Sequence, residues 1–71
     1  MMYRHNNMAV NLNDIRTMEA TPTKGIKDTG RGCWSISITY CDNHIIFING
    51  LDKEEAYQLL DSMVREINGG N

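Results

Sequence analysis

The segment from Cys33 to Asp52, CWSISITYCDNHIIFINGLD, contains two runs of mixed apolar and polar residues separated by a polar dipeptide. In the first run the two kinds of residue alternate, and a period of two places successive side chains on opposite faces of a β-strand. β-Branched and aromatic residues, which strands favour, dominate this run. We therefore predict a β-hairpin. The apolar face of its first strand consists of Trp34, Ile36, Ile38 and Tyr40.

The length of the turn sets the register of this hairpin, because a shift of one residue moves every side chain of a strand to the other face. The dipeptide Asp42–Asn43 tolerates positive φ angles, which suits a two-residue type I′ turn. That turn pairs Ile38 with Phe47, and we choose it because it builds aromatic–aliphatic cross-strand pairs. A turn that is one residue longer or shorter brings Ile46 and Ile48 to the apolar face instead.

Apolar residues at helical spacing near the C-terminus predict a helix over residues 53–67. Asp52 suits the N-cap position, and Glu55 three residues later completes a capping box. Asn68 and the glycines after it end the helix. The apolar stripe consists of Ala56, Leu59, Leu60, Met63, Val64 and Ile67.

The segment VNLNDIRTMEATP has two interpretations. It forms either a strand at about residues 13–21 or a short helix capped by Asn11, with Leu12, Ile15 and Met18 on one side. We prefer the strand, because a lone two-stranded hairpin is marginally stable whereas three strands that pack against a helix can stand alone.

The expected fold is therefore α+β. A small antiparallel sheet of three strands, in the order β-β-β-α, packs one face on the C-terminal helix. Residues 8–71 form a single domain, and residues 1–7 form a disordered segment, as chain termini often do. Residues 22–32, which contain three glycines and three basic residues, form a mobile loop.

No catalytic or metal site is expected. Cys41 and His44 stand close together across the turn, but zinc needs three or four ligands and no others are grouped with them. Nothing completes a Cys–His nucleophile pair either. Cys33 and Cys41 at opposite ends of one strand lie roughly 26 Å apart, beyond the ~7 Å limit of a disulfide. Two free thiols favour a cytoplasmic protein. The absence of a long apolar run indicates that the protein does not enter a membrane. Because no catalytic or metal-binding set of residues is present, we expect that the protein is no enzyme and needs no cofactor.

Charge argues weakly against a dedicated nucleic-acid-binding protein, because the formal net charge is −2 and the pI is near 5.5. The charge is unevenly placed, however: residues 1–32 carry +2 and residues 33–71 carry −4. Lys24, Lys27 and Arg31 stand among glycines, and such a loop can contact phosphate groups. It lacks the Gly-Lys-Ser/Thr ending of a P-loop. A nucleic-acid-binding regulator that uses residues 24–31 is therefore the alternative hypothesis.

The leading hypothesis is an interaction module. In the predicted register Ile46 and Ile48, flanked by Ser37 and Thr39, lie on a sheet face that no element of the chain covers. A contiguous exposed apolar patch usually marks an interface, and a two-fold dimer is the commonest closed assembly. We therefore expect a small non-catalytic protein that binds a second copy of itself and a further protein. An accessory or inhibitor protein of a mobile element such as a phage fits this description.

Overall fold

The structure is a computed structural model that describes residues 2–25 and 27–69 of the 71-residue chain. These residues form an α+β fold with strands in two antiparallel sheets and a C-terminal helix, so the predicted fold class is confirmed. The elements in chain order are β1 (Met2–His5), β2 (Met8–Asn11), β3 (Ile15–Pro22), β4 (Trp34–Tyr40), β5 (Ile45–Leu51) and α1 (Lys53–Ile67).

The larger sheet has three antiparallel strands in the order β3-β4-β5, so that β4 is central. Its first strand occupies Ile15–Pro22, where the sequence predicted a strand at about 13–21. The strand interpretation of this segment is thus correct and the helical one is wrong. Pro22 is the last residue of β3, a position where its missing N–H costs the sheet least.

The turn between β4 and β5 contains three residues rather than the predicted two. Asn43 donates its backbone N–H to the Tyr40 carbonyl at 2.9 Å, and Tyr40 donates its own to the His44 carbonyl at 2.8 Å. Asn43 adopts a φ of 69°. A type I turn followed by a left-handed residue is a usual three-residue hairpin connection. The predicted register is therefore wrong by one residue along β5.

This shift exchanges the two faces of β5, because the side-chain period of a strand is two. Ile48 is only 4% exposed and belongs to the core, and Ile46 packs against that core. Ile45 and Phe47 are instead 49% and 55% exposed. The prediction that Ile46 and Ile48 lie on the uncovered face is therefore wrong.

Helix α1 has the predicted bounds and the predicted capping box, in which Asp52 donates its backbone N–H to the Glu55 carboxylate at 3.1 Å. The helix packs on β3 and β4 through Ala56, Leu59 and Met63. Among the residues that the structure describes, no helix has the length and apolar character needed to cross a bilayer.

A second, two-stranded sheet was not predicted, and its first strand lies in residues 1–7, which were expected to be disordered. Strand β1 pairs antiparallel with β2, and Val10 and Leu12 join the same buried cluster as the core of the larger sheet. The Tyr40 hydroxyl donates to the Asn11 carbonyl at 2.7 Å and links the hairpin to β4. The N-terminal hairpin is thus a packed part of the domain.

The loop between β3 and β4 is attached to the start of α1. Lys53 donates its backbone N–H to the Gly30 carbonyl at 2.8 Å, and Gly32 donates to the Asp52 carboxylate at 2.8 Å. The mobility expected for residues 22–32 stays a prediction, and Ile26 lies outside the described residues.

Candidate functional site

The sheet face that points away from α1 is buried at Ser35 but exposed nearer the β4–β5 turn, and we call this exposed part the outer face. Ser37 pairs with Phe47 and Thr39 pairs with Ile45, so these side chains stand side by side on it. Both predicted polar interface residues, Ser37 and Thr39, therefore lie on this face beside two exposed apolar residues. The outer face comprises Thr17, Glu19, Ser37, Thr39, Ile45 and Phe47.

Strand β5 is an edge of the sheet, because it pairs with β4 alone among the described strands. The hydrogen bond between Tyr40 and His44 fixes the alternation of bonded and non-bonded pairs along β4 and β5. It follows that the backbone polar groups of Ile45 and Phe47 point away from β4. The strand, IIFINGL, contains none of the charged residues or prolines that commonly block edge strands.

The N-terminal hairpin lies near the same strand. Residues 5–8 and residues 47–51 line an open cleft of about 390 Å³ between the tip of this hairpin and the C-terminal half of β5. The outward-facing side chains nearest the start of β5, Ile45 and Phe47, remain exposed beside this cleft. The exposed apolar part of β5 is thus its first half.

The basic loop, residues 24–31, carries Lys24, Lys27 and Arg31 with exposed side chains. Arg31 lines an open cleft at the N-terminus of α1. The acidic residues of the same cleft reduce the positive charge of the surface around Arg31. A nucleic-acid footprint is usually a continuous basic surface. The structure therefore brings Arg31 beside acidic groups. These groups are Asp52, Glu54 and Glu55.

Asp28 holds the basic loop against β4, a role that sequence reasoning did not identify. Its carboxylate accepts hydrogen bonds from the Trp34 indole N–H at 2.9 Å and from the Gly30 backbone N–H at 3.0 Å. The Cys33 thiol contacts the same oxygen at 3.5 Å. The Trp34 bond above all, and then the Gly30 bond, holds the pKa of Asp28 below its ordinary value. The Asp-Thr-Gly sequence, which favours a side-chain-bonded turn, was the available signal.

We expect Asp28→Asn to weaken the acid dependence of stability. Because the pKa of Asp28 is lower in the folded state, its stabilisation is complete above the unfolded pKa and disappears as pH falls through the folded pKa. Asparagine keeps an acceptor for the Trp34 indole but does not titrate. Urea unfolding above and below that pH range, followed by Trp34 fluorescence, measures the difference.

The wild type should lose more stability on acidification than Asp28→Asn does. Asp61→Asn is the matched control, because Asp61 forms only an exposed ion pair with Arg65. Equal losses in the wild type and in Asp28→Asn would contradict the role given to this carboxylate.

Cys41 and His44 both lie at the β4–β5 turn, as the sequence suggested. Cys41 is exposed and Cys33 is buried, and both are free thiols. Within residues 2–25 and 27–69, no three His, Cys, Asp or Glu side chains are grouped closely enough to hold a metal ion. Cys41 and His44 line a cleft that was not predicted from the sequence.

This cleft, which we call the turn cleft, lies between the β4–β5 turn and the N-terminal hairpin. It has a volume of about 510 Å³. Tyr40 forms part of its wall, and burial raises the pKa of the Tyr40 hydroxyl. The sequence could not indicate it, because one wall belongs to the hairpin of β1 and β2, and this hairpin was not predicted.

Comparison with known proteins assigns no family to the chain. No protein-family model matches it, and no curated protein or solved structure matches it. The geometry of the outer face, the basic loop and the turn cleft is therefore the basis on which function is proposed.

Proposed function

We propose that the chain is a small non-catalytic interaction module that associates with a second copy of itself through β5. The observation that carries this proposal is the exposure of Ile45 and Phe47 on an edge strand without charged residues. Exposed apolar residues are ordinary when they are scattered singly. Here two of them adjoin a row of backbone groups that a further strand can pair with.

The sequence of β5 suits pairing with itself. In a two-fold antiparallel arrangement residue i of one strand faces residue j of the other and residue j faces residue i, so only a residue at the axis meets its own copy. Phe47 is near the middle of the strand, so the two copies of this ring would meet close to the axis. No like charges would face each other across the contact, because β5 carries none.

The size of the chain favours such an association. Its accessible surface is 4997 Å², and a standard interface buries about 800 Å² on each partner. One such contact would therefore remove roughly a sixth of the exposed surface. A domain of this length buries a comparatively small share of its surface by folding alone, so additional burial contributes strongly to its stability.

The decisive variant is Phe47→Lys. A charge at the centre of the proposed contact should increase the dissociation constant at least about tenfold, because the two lysines would face each other near the axis. Sedimentation equilibrium over a range of protein concentrations measures the monomer–dimer balance. Urea unfolding at a concentration where both proteins are monomeric should show that the variant remains folded.

Tyr57→Lys is the matched control, because Tyr57 is 50% exposed but lies on α1 rather than on the sheet. It should leave association unchanged. A wild-type protein that stays monomeric at high micromolar concentration, or equal weakening by the two substitutions, would exclude the proposed contact.

The wider role of the module is an accessory or inhibitor protein of a mobile element such as a phage, acting on a further protein in the cytoplasm. The two free cysteines fit the reducing compartment in which this role would be carried out.

The alternative is a nucleic-acid-binding regulator that uses Lys24, Lys27 and Arg31. The exposure of all three side chains favours it. The acidic groups beside Arg31 and the net charge of −2 oppose it. Steep salt dependence of DNA or RNA binding, reduced when the three bases are neutralised, would favour this alternative.

A further inference from the structure

The walls of the turn cleft are held in place by two hydrogen bonds to backbone carbonyls. The Tyr40 hydroxyl donates to the Asn11 carbonyl at 2.7 Å and joins the hairpin wall to the sheet. Cys41 donates its backbone N–H to the Asp14 carbonyl at 2.8 Å and joins the β4–β5 turn to the start of β3. The volume of about 510 Å³ is in the range of small-molecule sites.

The lining of the turn cleft combines an apolar surface with negative charge. Ala9, Ile46 and the ring of Tyr40 supply apolar contacts. Asp14 and Asp42 are the charged residues of the lining, with no lysine or arginine among the described residues that form it. A ligand that enters therefore meets a formal charge of −2 beside an apolar wall.

Tyr40 supplies an aromatic ring to the cleft, and the His44 ring lies 6.3 Å from it at an interplanar angle of 34°. The face of a tyrosine ring attracts cations that approach within about 6 Å. Asp42 uses Oδ1 to accept the His44 backbone N–H at 3.0 Å, and its carboxylate has a second oxygen as an acceptor.

We infer that the turn cleft binds a small organic cation, with an ammonium, amidinium or guanidinium group at Asp14 and Asp42 and an apolar body against Tyr40 and Ile46. This site does not depend on self-association, because it lies on the inner side of β5 and uses neither Ile45 nor Phe47. Its ligand class follows from charge and shape: a neutral analogue of the same shape keeps N–H donors but loses the ionic attraction to the two carboxylates.

The test is a titration of the ¹⁵N-labelled protein with benzamidine, which joins an aromatic body to an amidinium group. Benzamide is the neutral isostere and benzoate is the anionic one. Benzamidine should shift the amide signals of Asp14 and of the turn residues 41–44. It should bind at least about tenfold more tightly than benzamide, since hydrogen bonds between two charged groups are stronger than those with a neutral donor.

The Asp14→Asn/Asp42→Asn double variant should lose at least about tenfold in benzamidine affinity and should leave benzamide unaffected. Asparagine tolerates the φ of 61° at position 14 and keeps an acceptor for the turn at position 42, so the variant retains the fold. Asp61→Asn on α1 is the control and should change neither affinity.

Equal binding of benzamidine and benzamide, or full affinity in the double variant, would overturn the inference. So would the absence of any shift at residues 14 and 41–44. A capped Gly-Arg-Gly tripeptide provides a second arm. Tighter binding of this peptide than of benzamidine would assign the cleft to a side chain of a partner protein and overturn the small-molecule assignment.

Discussion

Ile36→Ala should lower the free energy of unfolding by about 2–5 kcal/mol, whereas Phe47→Ala should change it by only about 0.5 kcal/mol. Ile36 is fully buried under α1, so its truncation removes apolar contacts and leaves a cavity. Phe47 is more than half exposed on the outer face, so its truncation leaves no cavity. The exposure of Phe47 follows directly from the three-residue turn between β4 and β5.

Equilibrium urea unfolding followed by Trp34 fluorescence measures both values. The protein must be dilute, because association through β5 would stabilise the folded state by mass action. The loss of stability measured for Phe47→Ala would then include the loss of dimer contacts. Ser37→Ala, directly opposite Phe47, is the control for the outer face. A larger loss for Phe47→Ala than for Ile36→Ala would restore the two-residue register and exclude the present one.

Helix α1 was predictable because its signals are local. The apolar spacing, the Asp52 N-cap and the Glu55 three residues later all lie within one short segment. Each of them acts through neighbours in the chain, so no tertiary context was needed to place the ends. The exposure of Val64 and Ile67 was not predictable, because it depends on how far the sheet extends beneath the helix.

The register of β5 was not predictable, because it depends on a single backbone angle. Asn43 adopts a φ of 69° as the left-handed residue of a three-residue loop. Asparagine is equally suited to a two-residue type I′ turn, so the residue types alone leave both loops open. The difference of one residue then decided which side chains were assigned to the interface.

The N-terminal hairpin was missed because its stability comes from distant contacts. Its strands are only four residues long, and Val10 is buried by packing on the core of the larger sheet. A local signal did exist in the dipeptide Asn6–Asn7, which links His5 and Met8 as a two-residue loop. Asn6 has a φ of 54°, a value that asparagine tolerates better than most residues.

An open sheet face was expected, and only its apolar residues were misassigned. Helix α1 covers β3 and β4 on one side of the sheet, and the structure leaves the opposite side exposed near the β4–β5 turn. Ser37 and Thr39 lie on that face as predicted, since β4 was placed correctly. Because of the shift along β5, Ile45 and Phe47 lie on the outer face where Ile46 and Ile48 were predicted. The proposed contact therefore still uses the outer face.

Trp34→Ala should lower the free energy of unfolding by about 3–5 kcal/mol, as truncations of large buried aromatic residues do. Trp34 is 6% exposed and joins three parts of the fold. Its ring lies 5.5 Å from the Tyr57 ring on α1, and the Lys53 ammonium stands 5.5 Å above it. Its indole N–H donates to Asp28 in the basic loop. Loss of the ring therefore weakens β4, α1 and the loop together.

Trp34→Phe separates these contributions. Phenylalanine keeps an aromatic ring beside Tyr57 but has no N–H for Asp28, so its loss of stability should be intermediate. Because the chain contains a single tryptophan, unfolding of both variants has to be followed by far-UV circular dichroism. In Trp34→Phe the amides of residues 28–32 should also exchange with solvent faster than in the wild type, since the side-chain bond that holds this segment to β4 is gone. A loss below about 1 kcal/mol in Trp34→Ala, or unchanged exchange in Trp34→Phe, would show that Trp34 does not hold these parts together.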